Sequence, residues 1–226
     1  MQNEAETDSD TTSLTNQAYN RIYQMIIQGE FVPGHKLKID NLRKTLGAGA
    51  SPVREALSLL TSDQLVERID QRGFRVSHIS LKTFEELLKT RCWLEERALR
   101  ESMNAKDVEW EERLILAHHR LKRAPRSVGG DSFVANAGWE ELHKNFHMAL
   151  LSACGSSILV KICEQLYDQN IRYRNIAGPN AYPKRDVTSE HDAIVQFILD
   201  GNEDKAAEEL IRHYKKTGEF LAKQLE

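Results

Sequence analysis

The ten residues from Ser51 to Leu60, Ser-Pro-Val-Arg-Glu-Ala-Leu-Ser-Leu-Leu, constrain the fold more than any other stretch. A serine followed at once by proline reads as a helix start. Ser51 offers a capping oxygen, Pro52 suits the first helical position, where its missing N–H is not needed, and Glu55 falls in the first turn. Val53, Ala56, Leu57 and Leu60 recur at helical spacing and commit one face to a core, leaving Arg54 and Ser58 on the other side. Upstream, Lys38 to Leu46 reads as a second short helix, ended by the break Gly47-Ala48-Gly49-Ala50. Two short helices across a small-residue turn describe a helix-turn-helix, whose second helix fits a DNA major groove.

The flanks extend the pattern. Leu14 to Gly29 reads as a first helix burying Ala18, Ile22, Met25 and Ile26, and Pro33-Gly34 turns the chain toward the next two. After them, Leu65 to Ile69 and Gly73 to Ser77 flank Asp70-Gln71-Arg72, the layout of a β-hairpin wing. Residues 14–78 therefore form a winged helix-turn-helix of three helices plus wing. Residues 1–13 carry Glu4, Glu6, Asp8 and Asp10 without apolar periodicity, and are expected to be a disordered acidic tail. Taken together, Ile27 to Leu37, SPVREAL from Ser51 and RGFRV from Arg72 resemble the winged-helix domain of the GntR family of bacterial transcriptional regulators.

That resemblance implies operator DNA as a partner and assigns roles. Arg54 matches the arginine that reads or clamps DNA from the recognition helix; from the residues alone, pairing with Glu55 or Asp63 on the surface stays open. Ser51, beside Pro52 at the helix start, is expected to cap the helix and touch phosphate. Arg43 and Lys44 are candidate phosphate contacts, with a plain solvated face as the alternative. Arg72 and Gly73 at the wing tip suit minor-groove entry, although turn chemistry also favours them. Ala50 and Asp40 stand where relatives carry arginine, which leaves the operator sequence open.

Charge agrees with this assignment. The whole chain of 226 residues has a net charge of −3, yet from Leu14 to His78 nine Lys and Arg face six acids. A DNA-facing module is thus carried on an acidic remainder. No apolar run is long enough to span a bilayer and no signal-peptide pattern opens the chain, so the expected location is the bacterial cytoplasm, at the nucleoid when bound. Cys92, Cys154 and Cys163 show no C-x-x-C spacing; the last two sit among apolar neighbours and read as small buried residues.

Residues 79–226 read as an all-α bundle of about six helices. They start at Ser80 and near Lys106, then span about Asp131 to Ala153, Ser156 to Arg174, Val187 to Leu199 and Glu203 to Gln224. Breaks fall at Pro125 to Gly130, Gly155, Gly178-Pro179-Asn180 and Gly201-Asn202. His143 and His147 lie four apart, about 400° of helical turn, so both project from one face. His191 and His213 flank Gly201 by ten and twelve residues, roughly 15 and 18 Å of helical rise, which levels them if two antiparallel helices meet there. Four imidazoles so placed can converge on a divalent transition metal such as Zn²⁺ or Ni²⁺. A pair of this spacing is also common on a solvated or core face, and both readings stay open. His118-His119 points to different faces and receives no ligand role.

From Phe84 to Leu225 the chain resembles the FCD effector domain of the FadR subfamily, in which an Asp-x-x-x-His pair and two later histidines bind a divalent metal. His147, His191 and His213 match the three histidines; His143 stands where aspartate is usual. An all-imidazole set brings no ligand charge, which favours an anionic effector and disfavours oxygen-loving metals. The resemblance also puts Arg91 at the effector cavity, with a surface pair to Glu95 or Glu96 as the alternative. Tyr167, Asn170, Arg172 and Arg174 offer hydroxyl, amide and guanidinium groups on a helix expected to line the bundle, suited to a small carboxylate. This segment is similar to regulators of GABA/glutarate catabolic operons, which implies a dicarboxylate.

The expected function is a ligand-responsive repressor acting as a homodimer. A regulator for which the ion itself is the signal is one alternative, and a metal-dependent hydrolase a weaker one. No carboxylate in the metal motif could serve as general base, and no Ser/His/Asp or G-x-S-x-G pattern is present.

Overall fold

A computed structural model describes residues 13–70, 72–105, 107–129, 134, 136–177 and 185–225. The expected acidic tail, apart from Ser13, lies outside these residues, as do Gln71 of the wing turn and the Gly178-Pro179-Asn180 turn. The chain divides into two units, Met1–His78 and Ile79–Glu226.

The first unit holds helices α1 (Leu14–Ile27), α2 (Ile39–Leu46) and α3 (Ala50–Ser62), with strands β1 (Lys36–Leu37), β2 (Val66–Ile69) and β3 (Gly73–Val76). Ser13 caps α1, its hydroxyl accepting from Asn16 N at 3.2 Å. α1 packs on α3, burying Ala18, Ile22 and Ile26 with Val53, Ala56, Leu57 and Leu60. α2 ends on Gly47 at φ 61°, a left-handed cap that a Cβ would strain.

Ser51 does not cap α3. The two residues after Gly47 already bring the chain into the helix, so α3 begins at Ala50 with extended Gly49 at the cap position and no side-chain capping bond. Ser51 sits exposed in the first turn, and Pro52 falls at the last position whose N–H has no helical partner; Val53 N is the first to bond back, to Gly49 O. Glu55 consequently lies beyond the first turn.

The wing is also more than a hairpin. β2 and β3 pair antiparallel from Val66↔Val76 to Ile69↔Gly73, and β1 adds to the free edge of β3 with Leu37 opposite Phe74. Glu67 faces Arg75 across the strands and accepts from its Nε at 2.8 Å. Gly34, at φ 78°, leads into β1 where a Cβ would meet the His78 ring at 2.9 Å.

The second unit is all helical among the described residues: α4 (Leu81–Asn104), α5 (Val108–Arg123), α6 (Ala137–Leu151), α7 (Ser157–Ala177), α8 (Val187–Leu199) and α9 (Glu203–Leu225). Ser80 and Thr83 form a reciprocal capping box that starts α4. α6 covers the later part of the stretch that the sequence pattern marks as helical. It begins at Ala137, where Asn136 Oδ1 caps it while Asn136 Nδ2 donates to Pro125 O at 2.6 Å; residues 130–133 and 135, where the sequence pattern would start the helix, lie outside the described residues. The core joins Leu99, Trp110, Leu114, Phe146, Leu150, Ile194, Ile198 and Leu210. At the α8–α9 corner, Asn202 N reaches Phe197 O at 2.9 Å, closing the tight antiparallel turn that sets His191 and His213 side by side. Cys163 is buried, whereas Cys154 is half-buried beside the turn before α7. No helix among the described residues is long and apolar enough to cross a membrane.

Candidate functional site

Three helices of the second unit bring four histidines together. His143 and His147 come from one face of α6, His191 from α8 and His213 from α9, and each offers a ligand atom within 4.8 Å of all the others. All four are buried. The Nε2 atoms of His143 and His147 stand 3.1 Å apart, and the rings of His191 and His213 are 4.7 Å apart between centroids.

The outward nitrogens are held in place. His213 Nδ1 lies 2.8 Å from a Glu190 carboxylate oxygen, which can only accept, so the proton sits on Nδ1 and Nε2 keeps its lone pair. His143 Nδ1 meets the Tyr167 hydroxyl at 2.6 Å and His147 Nδ1 meets that of Tyr214 at 3.0 Å. Trp139 stacks on the His143 ring at 4.5 Å. His191 Nε2 is buried with no hydrogen-bond partner.

Burial, reinforced by the neighbouring imidazoles and arginines, pushes the pKa of His143, His147 and His191 well below the ordinary histidine value. His213 falls to about 4, mainly through burial and despite its bond to Glu190. Four neutral imidazoles, three of them braced at Nδ1 and the fourth with a buried Nε2 that has no hydrogen-bond partner, match what a divalent metal requires. The residues present could hold such an ion.

Four arginines line the cavity around the histidines: Arg126 lies over the Trp139 ring at 5.1 Å, and the other three are each matched by a glutamate. Arg91 Nε donates to Glu95 Oε1 at 2.6 Å, with both residues buried and the Tyr214 hydroxyl also donating to Glu95. Burial works against the Arg91 charge, but Glu95 outweighs it and holds the guanidinium firmly protonated. Arg174 donates to Glu140 at 2.6 Å and approaches His143 Nδ1. Arg185 binds Glu190, Thr217 Oγ1 at 2.6 Å and the carbonyl of His213 at 2.8 Å. Burial raises the Glu190 pKa, yet hydrogen bonds from His213 and Arg185 reverse this and keep it ionised. The cavity among these groups measures about 20 Å³, room for a water or an ion but not a dicarboxylate.

The first unit offers a second candidate surface. Arg54 is exposed on α3 and makes no ion pair among the described residues. Both acids that could have taken it are engaged elsewhere: Glu55 accepts from Thr15 Oγ1 at 2.8 Å, and Asp63 from the Tyr19 hydroxyl at 2.7 Å. Arg54 and Arg68 open on a groove of about 250 Å³ with Ile39, Ser58, Ile69, Gly73 and Phe74. Lys44 and Arg72 are exposed, and Arg43 lies 3.5 Å from Asp40.

Residues 14–76 match the gntR family of bacterial regulatory proteins, and residues 86–216 match the FCD domain. The chain belongs to the GntR family of regulators with an FCD domain. The HTH-type transcriptional regulator BphR of Paraburkholderia xenovorans is 35% identical over 201 residues, covering 89% of this chain and 82% of that protein. The HTH-type transcriptional repressor GlaR of Escherichia coli is 27% identical over 86% of this chain and 90% of that one. Among solved structures, E. coli McbR/YncC superposes with a TM-score of 0.76 at 21% identity, covering 96% of this chain and all of that one, a likeness of fold. This GntR-family member is accordingly a DNA-binding transcriptional regulator and not an enzyme.

Within the regulator, Arg91, Tyr167, Asn170 and Arg174 all line the histidine cavity, while Arg172 is buried but does not. The Arg91–Glu95 pair weighed from the sequence is real, but it is buried rather than on the surface. Glu140, Glu190, Arg126, Arg185, Trp139 and Tyr214 are not singled out by sequence reasoning, and Glu95 enters it only as a surface partner for Arg91. Tyr214 next to His213, Glu190 next to His191, Trp139 and Glu140 one turn before His143, and Glu95 one turn from Arg91 carry a local signal; Arg185 meets the site through tertiary packing.

Proposed function

We propose that this regulator is a repressor that binds operator DNA as a homodimer and senses a small dicarboxylate at a zinc ion held by His143, His147, His191 and His213. The observation that carries this reading is the convergence of four buried, neutral imidazoles, three of which, His143, His147 and His213, are braced at Nδ1 by Tyr167, Tyr214 and Glu190. When bound, the metal supplies an electropositive centre to which a carboxylate can bind. Ni²⁺ would suit the same donor set. Arg91, Arg174 and Arg185 are each balanced by a glutamate, so a bound ion adds positive charge that these three carboxylates do not already offset. A dicarboxylate must then enlarge the cavity, by taking Arg174 from Glu140 or Arg185 from Glu190, and that rearrangement is the step available for signalling.

On DNA, Arg54 reads base edges or clamps phosphate from α3. Ser51, with Pro52 beside it, Arg43 and Lys44 hold the backbone, and Arg72 with Gly73 enters the minor groove at the wing tip. The repressor role follows the similarity to GlaR, named a repressor. Pairing of two copies is supported by the apolar surface that Trp93 of α4 and Ile158 of α7 leave exposed on adjoining helices. The cytoplasm is the compartment where such a protein meets its operator.

Fluorescence anisotropy on a duplex selected by the protein from a random library tests the reading. Arg54→Ala should weaken binding by about 1–3 kcal/mol, roughly 5- to 150-fold. Glutarate should change the affinity of the zinc-loaded wild type and leave that of His147→Ala unmoved. Unchanged binding by Arg54→Ala, together with no response to glutarate, would remove the proposal. The reading in which the ion is itself the signal is favoured by the small cavity; it requires DNA affinity to follow zinc occupancy with no added anion.

A further inference from the structure

We infer that the acidic segment ahead of α1 docks in the groove beside Arg54 and competes there with DNA phosphate. The inference rests on the proposed placement of Arg54 at DNA. Residues 1–12 carry Glu4, Glu6, Asp8 and Asp10 and no lysine or arginine. The groove they would meet contains two exposed arginines, Arg54 and Arg68, with no acidic partner among the described residues. Its other walls, Ile39, Ile69 and Phe74, are apolar, so a carboxylate brought there meets guanidinium donors on a partly desolvated floor.

The place where the segment joins the fold makes this intramolecular. Thr15, in the first turn of α1, hydrogen-bonds Glu55, the neighbour of Arg54 on the recognition helix. Ser13, the cap of α1, therefore delivers the segment on the side of the first unit where α3 presents its exposed residues. Twelve residues reach about 40 Å when extended, more than enough to cross such a groove. Tethering gives the segment an effective concentration in about the millimolar range, so even weak carboxylate–guanidinium pairing is populated. At physiological salt its charges act over a Debye length of about 8 Å, which makes docking, rather than distant repulsion, the effective mode. Operator DNA, offering many phosphates together with base contacts, displaces the segment; random-sequence DNA, held by phosphate contacts alone, does so less readily. The segment thereby sharpens discrimination between operator and bulk DNA.

The test compares the full-length wild type with a full-length variant carrying Glu4→Gln, Glu6→Gln, Asp8→Asn and Asp10→Asn. Both are titrated with random-sequence duplex and with the selected duplex between 50 and 200 mM salt. Neutralisation should tighten random-sequence binding by about tenfold at the low end and steepen its salt slope by about 2, as two cations become available to phosphate. The selected duplex should change less. A photo-crosslinker placed at Thr11 of the wild type should map to α3 and the wing, and DNA should abolish the product. Equal affinities and slopes would overturn the inference while leaving the DNA reading intact. Tighter binding with crosslinks scattered over the surface would also overturn it, since unbound charge would then explain the effect. Binding by neither protein would bring down the placement of Arg54 and this inference with it.

Discussion

Glu95 shows how much one residue can carry without facing solvent. Its carboxylate neutralises Arg91 and accepts from the Tyr214 hydroxyl, which in turn positions His147, so charge balance and ligand orientation meet at one side chain. Glu95→Gln leaves Arg91 buried and uncompensated, and should lower stability by about 3–5 kcal/mol, read as a drop in the midpoint of chemical denaturation. A loss under about 1 kcal/mol would mean that water reaches Arg91. His143 makes a different kind of argument, because the family pattern has aspartate there and this chain has an imidazole stacked on Trp139. His143→Asp adds a negative oxygen ligand, so the variant should still bind one metal but shift its preference from Zn²⁺ toward Mn²⁺. Competition titrations with the two ions measure that shift, and an unaltered preference would separate His143 from the ligand set.

At the scale of elements, the recognition helix divides its work between two faces. Leu57→Ala, on the buried face, should destabilise the first unit by about 2–5 kcal/mol. Arg54→Ala, on the exposed face, should leave the denaturation midpoint unchanged while weakening DNA binding, and comparing the two variants isolates packing from recognition. The entry to this helix was legible as a break followed by an apolar stripe, but its cap was not. Ser-Pro is a strong local start signal, yet the left-handed cap at Gly47 already turns the chain, and α3 begins two residues early. β1 was likewise invisible, since two residues carry no alternation and acquire strand geometry only by pairing with β3. The histidine spacing on α6 and across the α8–α9 turn could be read directly because helical periodicity and a tight hairpin convert sequence distance into position. The pairing of Arg174 with Glu140 could not, for the two are 34 residues apart and meet only when α6 packs on α7. Gly47→Val would impose a side chain on a left-handed residue and should cost about 1–2 kcal/mol, checked by thermal melting of the intact protein.

For the whole molecule, a winged-helix unit up to His78 is followed by an all-helical FCD unit from Ile79, and a metal held by the four histidines of the second would act as part of its core. Ion binding to the folded state alone adds about 2.7 kcal/mol when free metal stands a hundredfold above its dissociation constant. Chelation should therefore lower the melting temperature of the histidine-bearing unit and leave the unfolding of the first unit where it was, which amide hydrogen exchange can resolve unit by unit. The most direct test is the metal content of purified protein reconstituted with zinc and dialysed, wild type beside His147→Ala. The four-histidine centre requires about one zinc per chain in the wild type and almost none in the variant. No bound metal in the wild type, or equal zinc in both proteins, would mean that these imidazoles are a buried polar cluster and that the sensing of carboxylates lies elsewhere.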